Sequence, residues 1–126
     1  LYNTPPAFSI DRLGKVVECV ESMGGVEKLS AINEEKAGIL YDTIDQSDGF
    51  YKGHADAASR SSMNVTFTLP NEELSQSFLS RAKQRGVVGL NGHRSIGGCR
   101  ASIYNAVPLD ACVALRDLMI EFKNAN

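Results

Sequence analysis

Met63-Asn64-Val65-Thr66-Phe67-Thr68-Leu69 is the stretch on which the fold turns. Met63, Val65, Phe67 and Leu69 alternate strictly with Asn64, Thr66 and Thr68. That period of two gives a strand with one apolar and one polar face. Pro70 stops it, and Asn71 can cap a helix carrying Leu74, Phe78, Leu79 and Ala82 that ends at Gly86. Val87-Val88 predicts a short buried strand, and the segment from Gly89 to Gly98 is glycine-rich. Alternation then returns, with Cys99, Ala101 and Ile103 on one side and Arg100, Ser102 and Tyr104 on the other. Pro108 opens a last helix striped by Leu109, Cys112, Leu115, Met119 and Phe122.

Upstream of the decisive strand the pattern is helical. Thr4-Pro5-Pro6 reads as a hydroxyl cap followed by prolines in a first turn, where missing N–H groups cost little. Ile10, Leu13, Val17 and Val20 then share a face, widened by Val16 and Met23, until Gly24-Gly25 ends the helix. A second helix has Val26, Leu29, Ala37, Leu40 and Ile44 on its apolar side and Glu34, Glu35 and Lys36 toward water. Two helices joined at a Gly-Gly turn are expected to pack as a hairpin. Asp48-Gly49 is a turn signal, Phe50-Tyr51 opens a short strand, and Gly53 to Ser62 reads as a loop. The fold class is therefore α+β: a small, mostly antiparallel sheet with helices packed on one face.

Composition agrees with one domain of that size. The 126 residues are 43% hydrophobic and 22% charged, enough to bury a core without a disulfide or metal staple. Thirteen Lys and Arg against fifteen Asp and Glu leave a net charge of −2, without the basic excess of a nucleic-acid binder. No apolar run reaches the length of a membrane span. Cys19, Cys99 and Cys112 form no CxxC or Cys/His cluster, so they read as reduced, small core residues rather than a disulfide framework or metal site. The opening Leu1-Tyr2-Asn3-Thr4 has neither a charged n-region nor an apolar h-region, and is read as the start of a piece processed or cut from something longer.

Gly92-His93-Arg94-Ser95-Ile96-Gly97-Gly98-Cys99-Arg100 is the densest polar constellation. Arginine forks suit carboxylate and phosphate, a histidine adds a donor, and glycines let backbone and ligand come close. On spacing alone a snorkelling sheet-edge arginine and a solvated turn histidine explain the same pattern, and stand ahead of the anion site. Asn3-Thr4 at a helix start is a second candidate for a phosphate, with simple capping the plainer alternative. Asn64-Val65-Thr66 matches a glycosylation sequon, but inside a strand it is read as accidental. Glu34-Glu35 and Asp42/Asp45 read as solvated helix faces, and His54 as a loop side chain without ligand partners.

Asn3-Thr4-Pro5-Pro6, Ser62-Met63-Asn64-Val65, and above all Gly92-His93-Arg94-Ser95 followed by Gly97-Gly98-Cys99-Arg100-Ala101-Ser102-Ile103-Tyr104-Asn105-Ala106 closely resemble the phosphoserine aminotransferase family. These are pyridoxal 5'-phosphate (PLP) enzymes of the fold-type I aminotransferase class. The resemblance implies the C-terminal small domain over residues 1–126, with residues 1–24 as the helix leading into it. It implies transamination between phosphoserine and 2-oxoglutarate in serine biosynthesis, making phosphoserine from 3-phosphohydroxypyruvate and glutamate. Position by position, it gives Arg100 the substrate α-carboxylate. His93 and Arg94 receive the substrate phosphate or the second carboxylate of glutamate. Asn3 and Thr4 reach across a homodimer to the cofactor phosphate of the partner subunit. The implied compartment is the cytoplasm, or the plastid in a plant.

Asn91 stands where the family commonly has a lysine, Thr66 where it has proline, and Asp11-Arg12 in a normally apolar part of the first helix. The family's Schiff-base lysine has no counterpart either. Lys15, Lys28, Lys36, Lys52, Lys83 and Lys123 read as mostly solvated, and none lies in the cofactor-lysine motif. The isolated chain is expected to hold no cofactor and catalyse nothing. The competing expectation is a stand-alone α+β module that binds an anion or a partner.

Overall fold

In a computed structural model describing residues 2–126, the alternating stretch becomes strand β2 (Asn64–Thr68). Val65 and Phe67 are buried while Asn64, Thr66 and Thr68 are only partly covered. β2 lies between β1 (Lys52–Gly53) and β4 (Gly97–Ser102), and β3 (Asn91–His93) closes the far edge, giving the order β1-β2-β4-β3. All three pairings are antiparallel. Val65 faces Ala101 and Phe67 faces Cys99, so the apolar sides of the two central strands are in phase.

Among the described residues four α-helices accompany the sheet: α1 (Ala7–Ser22), α2 (Gly25–Asp45), α3 (Glu72–Gln84) and α4 (Leu109–Asn124). The chain divides into two units between Ile32 and Asn33. In the larger unit the sheet's inner face joins Leu40 and Ile44 of α2, Phe78 of α3, and Leu115, Met119 and Phe122 of α4 in one core. Aromatic rings run through it edge to face. Tyr51 meets Phe67 at 5.6 Å, Phe67 meets Phe78 at 6.0 Å, and Phe78 meets Phe122 at 5.2 Å between centroids. Asn71 caps α3 as expected, its side chain accepting from the Leu74 N–H at 2.8 Å. No described helix is long and apolar enough to cross a membrane.

Several expectations need correcting. Val87-Val88 forms no strand and Val88 is exposed; pairing with β4 makes the strand of Asn91–His93 instead. The strand expected at Phe50-Tyr51 lies two residues later, at Lys52–Gly53. Thr4 does not cap α1, whose first residue is Ala7 and whose boundary residue is Pro6. In the smaller unit α1 buries no residue: Phe8, Ile10, Leu13, Val16 and Val17 are exposed, as is Val26 at the start of α2. The apolar stripe of α1, expected to pack in a helical hairpin, is therefore not buried among the described residues. Cys19 shares that exposure, while Cys99 and Cys112 are core residues as expected.

The largest correction concerns Lys36, which does not face water but is fully buried. Its ammonium donates to the carbonyls of Ile103 at 3.0 Å, Tyr104 at 2.9 Å and Val107 at 3.1 Å. Three carbonyl dipoles replace the hydration that burial removes, which is the condition for keeping a charge inside.

Candidate anion-binding site

The glycine-rich run folds into the β3–β4 hairpin. His93 to Ile96 make its turn, with the Ile96 N–H donating to the His93 carbonyl at 3.0 Å. The strands meet so closely that a Cβ on Gly92 would lie 1.9 Å from the Gly97 carbonyl oxygen. Gly98 has φ +68° and its Cβ would come within 2.8 Å of the Phe67 carbonyl oxygen. Glycine at these two positions is a requirement of close backbone approach and left-handed geometry.

Arg100 sits on β4 opposite Thr66, between the core residues Cys99 and Ala101. The pleat therefore sends it to the face away from the core, as the alternation predicts. Its backbone N–H donates to the Leu90 carbonyl at 2.8 Å, fixing the strand. Its Nε is buried yet has no hydrogen-bond partner among the described residues. A donor in that state is costly unless something else accepts from it.

A small cavity of about 50 Å³ opens here, with Arg100, His93, Gly92, Thr66, Thr68 and His54 in its lining. None of its lining residues is acidic, so an arginine and two histidines face it without an opposing carboxylate. His93 is oriented locally: its Nδ1 lies 2.7 Å from the Ser95 hydroxyl, and the Ser95 N–H donates to the same nitrogen at 3.3 Å. With Nδ1 accepting from the backbone, Nε2 carries the proton and is the donor left for a ligand. Cys99 also borders the cavity, but burial pushes its thiol up to about 12, so it is no nucleophile at neutral pH.

His54 was not foreseen. Its N–H donates to the Thr66 carbonyl at 3.2 Å, extending the β1–β2 pairing by one residue and turning an apparent loop histidine toward the Arg100 face. The loop after it is fastened by Arg60, which makes two 2.6 Å hydrogen bonds to Asp45 and lies over the Tyr41 ring at 4.6 Å. That bidentate bond holds the Asp45 carboxyl below its ordinary range. No sequence motif marks His54; only its place one step beyond β1 does.

Among the sequence-predicted residues, His93 and Arg100 meet at the cavity. Arg94 is exposed at the neighbouring turn, and Asn3 and Thr4 are exposed ahead of α1, in the other unit. The side chains of Asn3 and Thr4 make no cap to α1. The reactive end of a PLP cofactor does not fit this chain. Lys36 is tied to three carbonyls, Lys123 is paired to Asp48, and Lys15, Lys28, Lys52 and Lys83 are exposed. None is a buried, unengaged amine.

The family model for class-V aminotransferases matches residues 1–112, most of the chain. The chain therefore belongs to the class-V aminotransferase family. Within it, the chain is similar to phosphoserine aminotransferases. It is 67% identical, over 98% of its length, to the phosphoserine aminotransferase of Alkalihalobacillus alcalophilus, of which it covers 34%. The solved enzyme from Bacillus circulans subsp. alkalophilus superposes with a TM-score of 0.93 at 52% identity, covering 98% of this chain and 34% of the other. The PLP-bound enzyme of Trichomonas vaginalis gives 0.86 at 36% identity, covering 95% and 34%. The chain thus spans about a third of the length of the relatives it matches.

Proposed function

We propose that this chain is the C-terminal, substrate-recognising part of a phosphoserine aminotransferase, residues 1–24 leading into it. In the whole enzyme the reaction is amino transfer between phosphoserine and 2-oxoglutarate, in the cytoplasm, and it forms phosphoserine from 3-phosphohydroxypyruvate with glutamate as amino donor. PLP, held through a lysine elsewhere in the enzyme, supplies the electron sink for that chemistry. This chain supplies anion recognition. Arg100 forks the substrate α-carboxylate, while His93 and Arg94 take the phosphate or the distal carboxylate. Asn3 and Thr4 reach the cofactor phosphate of the partner subunit in a homodimer.

One observation carries the proposal: Arg100 is fixed by its strand, faces a cavity without acidic lining, and holds a buried Nε that nothing among the described residues satisfies. The Nε2–H of His93 offers a second donor at the same place. Both substrates of a transamination carry an α-carboxylate and occupy one site in turn. Arg100→Ala in the full-length enzyme is therefore expected to raise the KM of the amino acid and the oxo acid alike. A charged hydrogen bond lost is worth about 1.5–3 kcal/mol, or roughly tenfold to a hundredfold. Unchanged KM values for both substrates would remove Arg100 from the site.

A further inference from the structure

We propose that Lys36 is a positioning residue for Arg100, setting the depth of strand β4 against α2 in the assembled enzyme. The inference rests on the assignment of Arg100 to the substrate carboxylate.

β4 ends at Ser102, and residues 103–107 turn the chain into α4. Three carbonyls of that turn, from Ile103, Tyr104 and Val107, converge on the Lys36 ammonium. One turn earlier on α2, Asn33 donates through Nδ2 to Asn105 Oδ1 at 2.7 Å. The Ile103 N–H donates to the Met63 carbonyl at 2.9 Å, just before β2. The segment that begins three residues after Arg100 is therefore anchored to two elements, and the ammonium supplies most of the bonds.

A lysine is a poor choice if filling space were the only task. Replacing a buried charge with an apolar side chain of similar volume is often neutral or stabilising. The ammonium does what a methyl group cannot: it donates to three carbonyls at once, the Tyr104 one also accepting from the Val107 N–H at 2.9 Å, and fixes their mutual distances. Arg100 needs that rigidity, because a two-pronged bond to a carboxylate is lost with small displacements of the fork. Lys36 has no exposed atom to offer a ligand, so it acts through the strand.

The test is a double-mutant cycle in full-length enzyme, assayed below the unfolding transition of every variant. Lys36→Met is expected to raise the KM of both substrates about threefold to tenfold, with kcat changed much less. In an Arg100→Ala background the same change is expected to leave KM where Arg100→Ala alone puts it, since the affected contact is already gone. Additive effects on KM, or a fall in Tm with KM unchanged, would overturn the positioning role. Should Lys36→Met fail to fold, Asn33→Ala removes the second tie and is expected to show a smaller KM rise with the same non-additivity; no rise would count against the proposal. If Arg100→Ala alone left KM unchanged, the substrate assignment would fall first and this inference with it.

Discussion

Helices α1 and α4 are each sixteen residues long and each carries an apolar stripe, yet their fates differ. α4 buries Cys112, Leu115, Leu118, Met119 and Phe122 against the sheet, while α1 buries nothing. Leu13 of α1 is 64% exposed and Leu115 of α4 is 4% exposed. Amphipathic spacing states that a helix has an apolar side; it does not say what covers that side. For α4 the cover is the sheet that holds Arg100.

The contrast can be broken most sharply by matched truncations in the two helices, measured by urea unfolding of the chain. Phe122→Ala is expected to cost about 3–5 kcal/mol, because the ring is buried and packs on Phe78 and Phe50. Leu13→Ala is expected to change stability by no more than about 0.5 kcal/mol. Equal losses would mean that α1 is covered after all. A smaller effect tests how α4 is tied down. Tyr51 donates its hydroxyl to the Met119 carbonyl at 2.9 Å inside the core, so Tyr51→Phe is expected to cost about 0.5–1.5 kcal/mol by removing that buried hydrogen bond.

The cysteines report the same difference chemically. Cys19 on α1 is exposed, whereas burial pushes the thiols of Cys112 on α4 and Cys99 on β4 upward. Native iodoacetamide labelling followed by peptide mass spectrometry is expected to modify Cys19, and the other two only after unfolding. Burial that favours the neutral thiol also fixes a pH trend. Cys99 rises from 9.0 to about 12, so its contribution to stability is complete below pH 9 and is lost as pH climbs toward 12. Cys99→Ala is expected to flatten that alkaline decline, the smallest effect of the series.

Local pattern carried the fold a long way and then stopped at pairings. The strict alternation at Met63–Leu69, the cap at Asn71 and the stripe of α4 are visible because each is written in consecutive or helically spaced residues. Val87-Val88 misled because two β-branched residues look like a strand, while Asn91-Gly92-His93 becomes one only by pairing with β4. Lys36 was read as solvated on charge alone. Its spacing with Asn33, Ala37, Leu40 and Ile44 already placed it on the buried face, but the carbonyls that stabilise it come from residues 103–107 and leave no mark near it. At the candidate site, His93 and Arg100 were legible from arginine and histidine among glycines. His54 was not, since its partner strand lies more than ten residues away.

The most direct test is calorimetric titration of 2-oxoglutarate into the full-length enzyme and its Arg100→Lys variant. Lysine keeps the charge but not the planar fork, so the comparison isolates two-pronged recognition from simple attraction. The expected result is a Kd weakened by about tenfold or more, equivalent to about 1.4 kcal/mol. An unchanged Kd would contradict the assignment of this sheet face to substrate recognition.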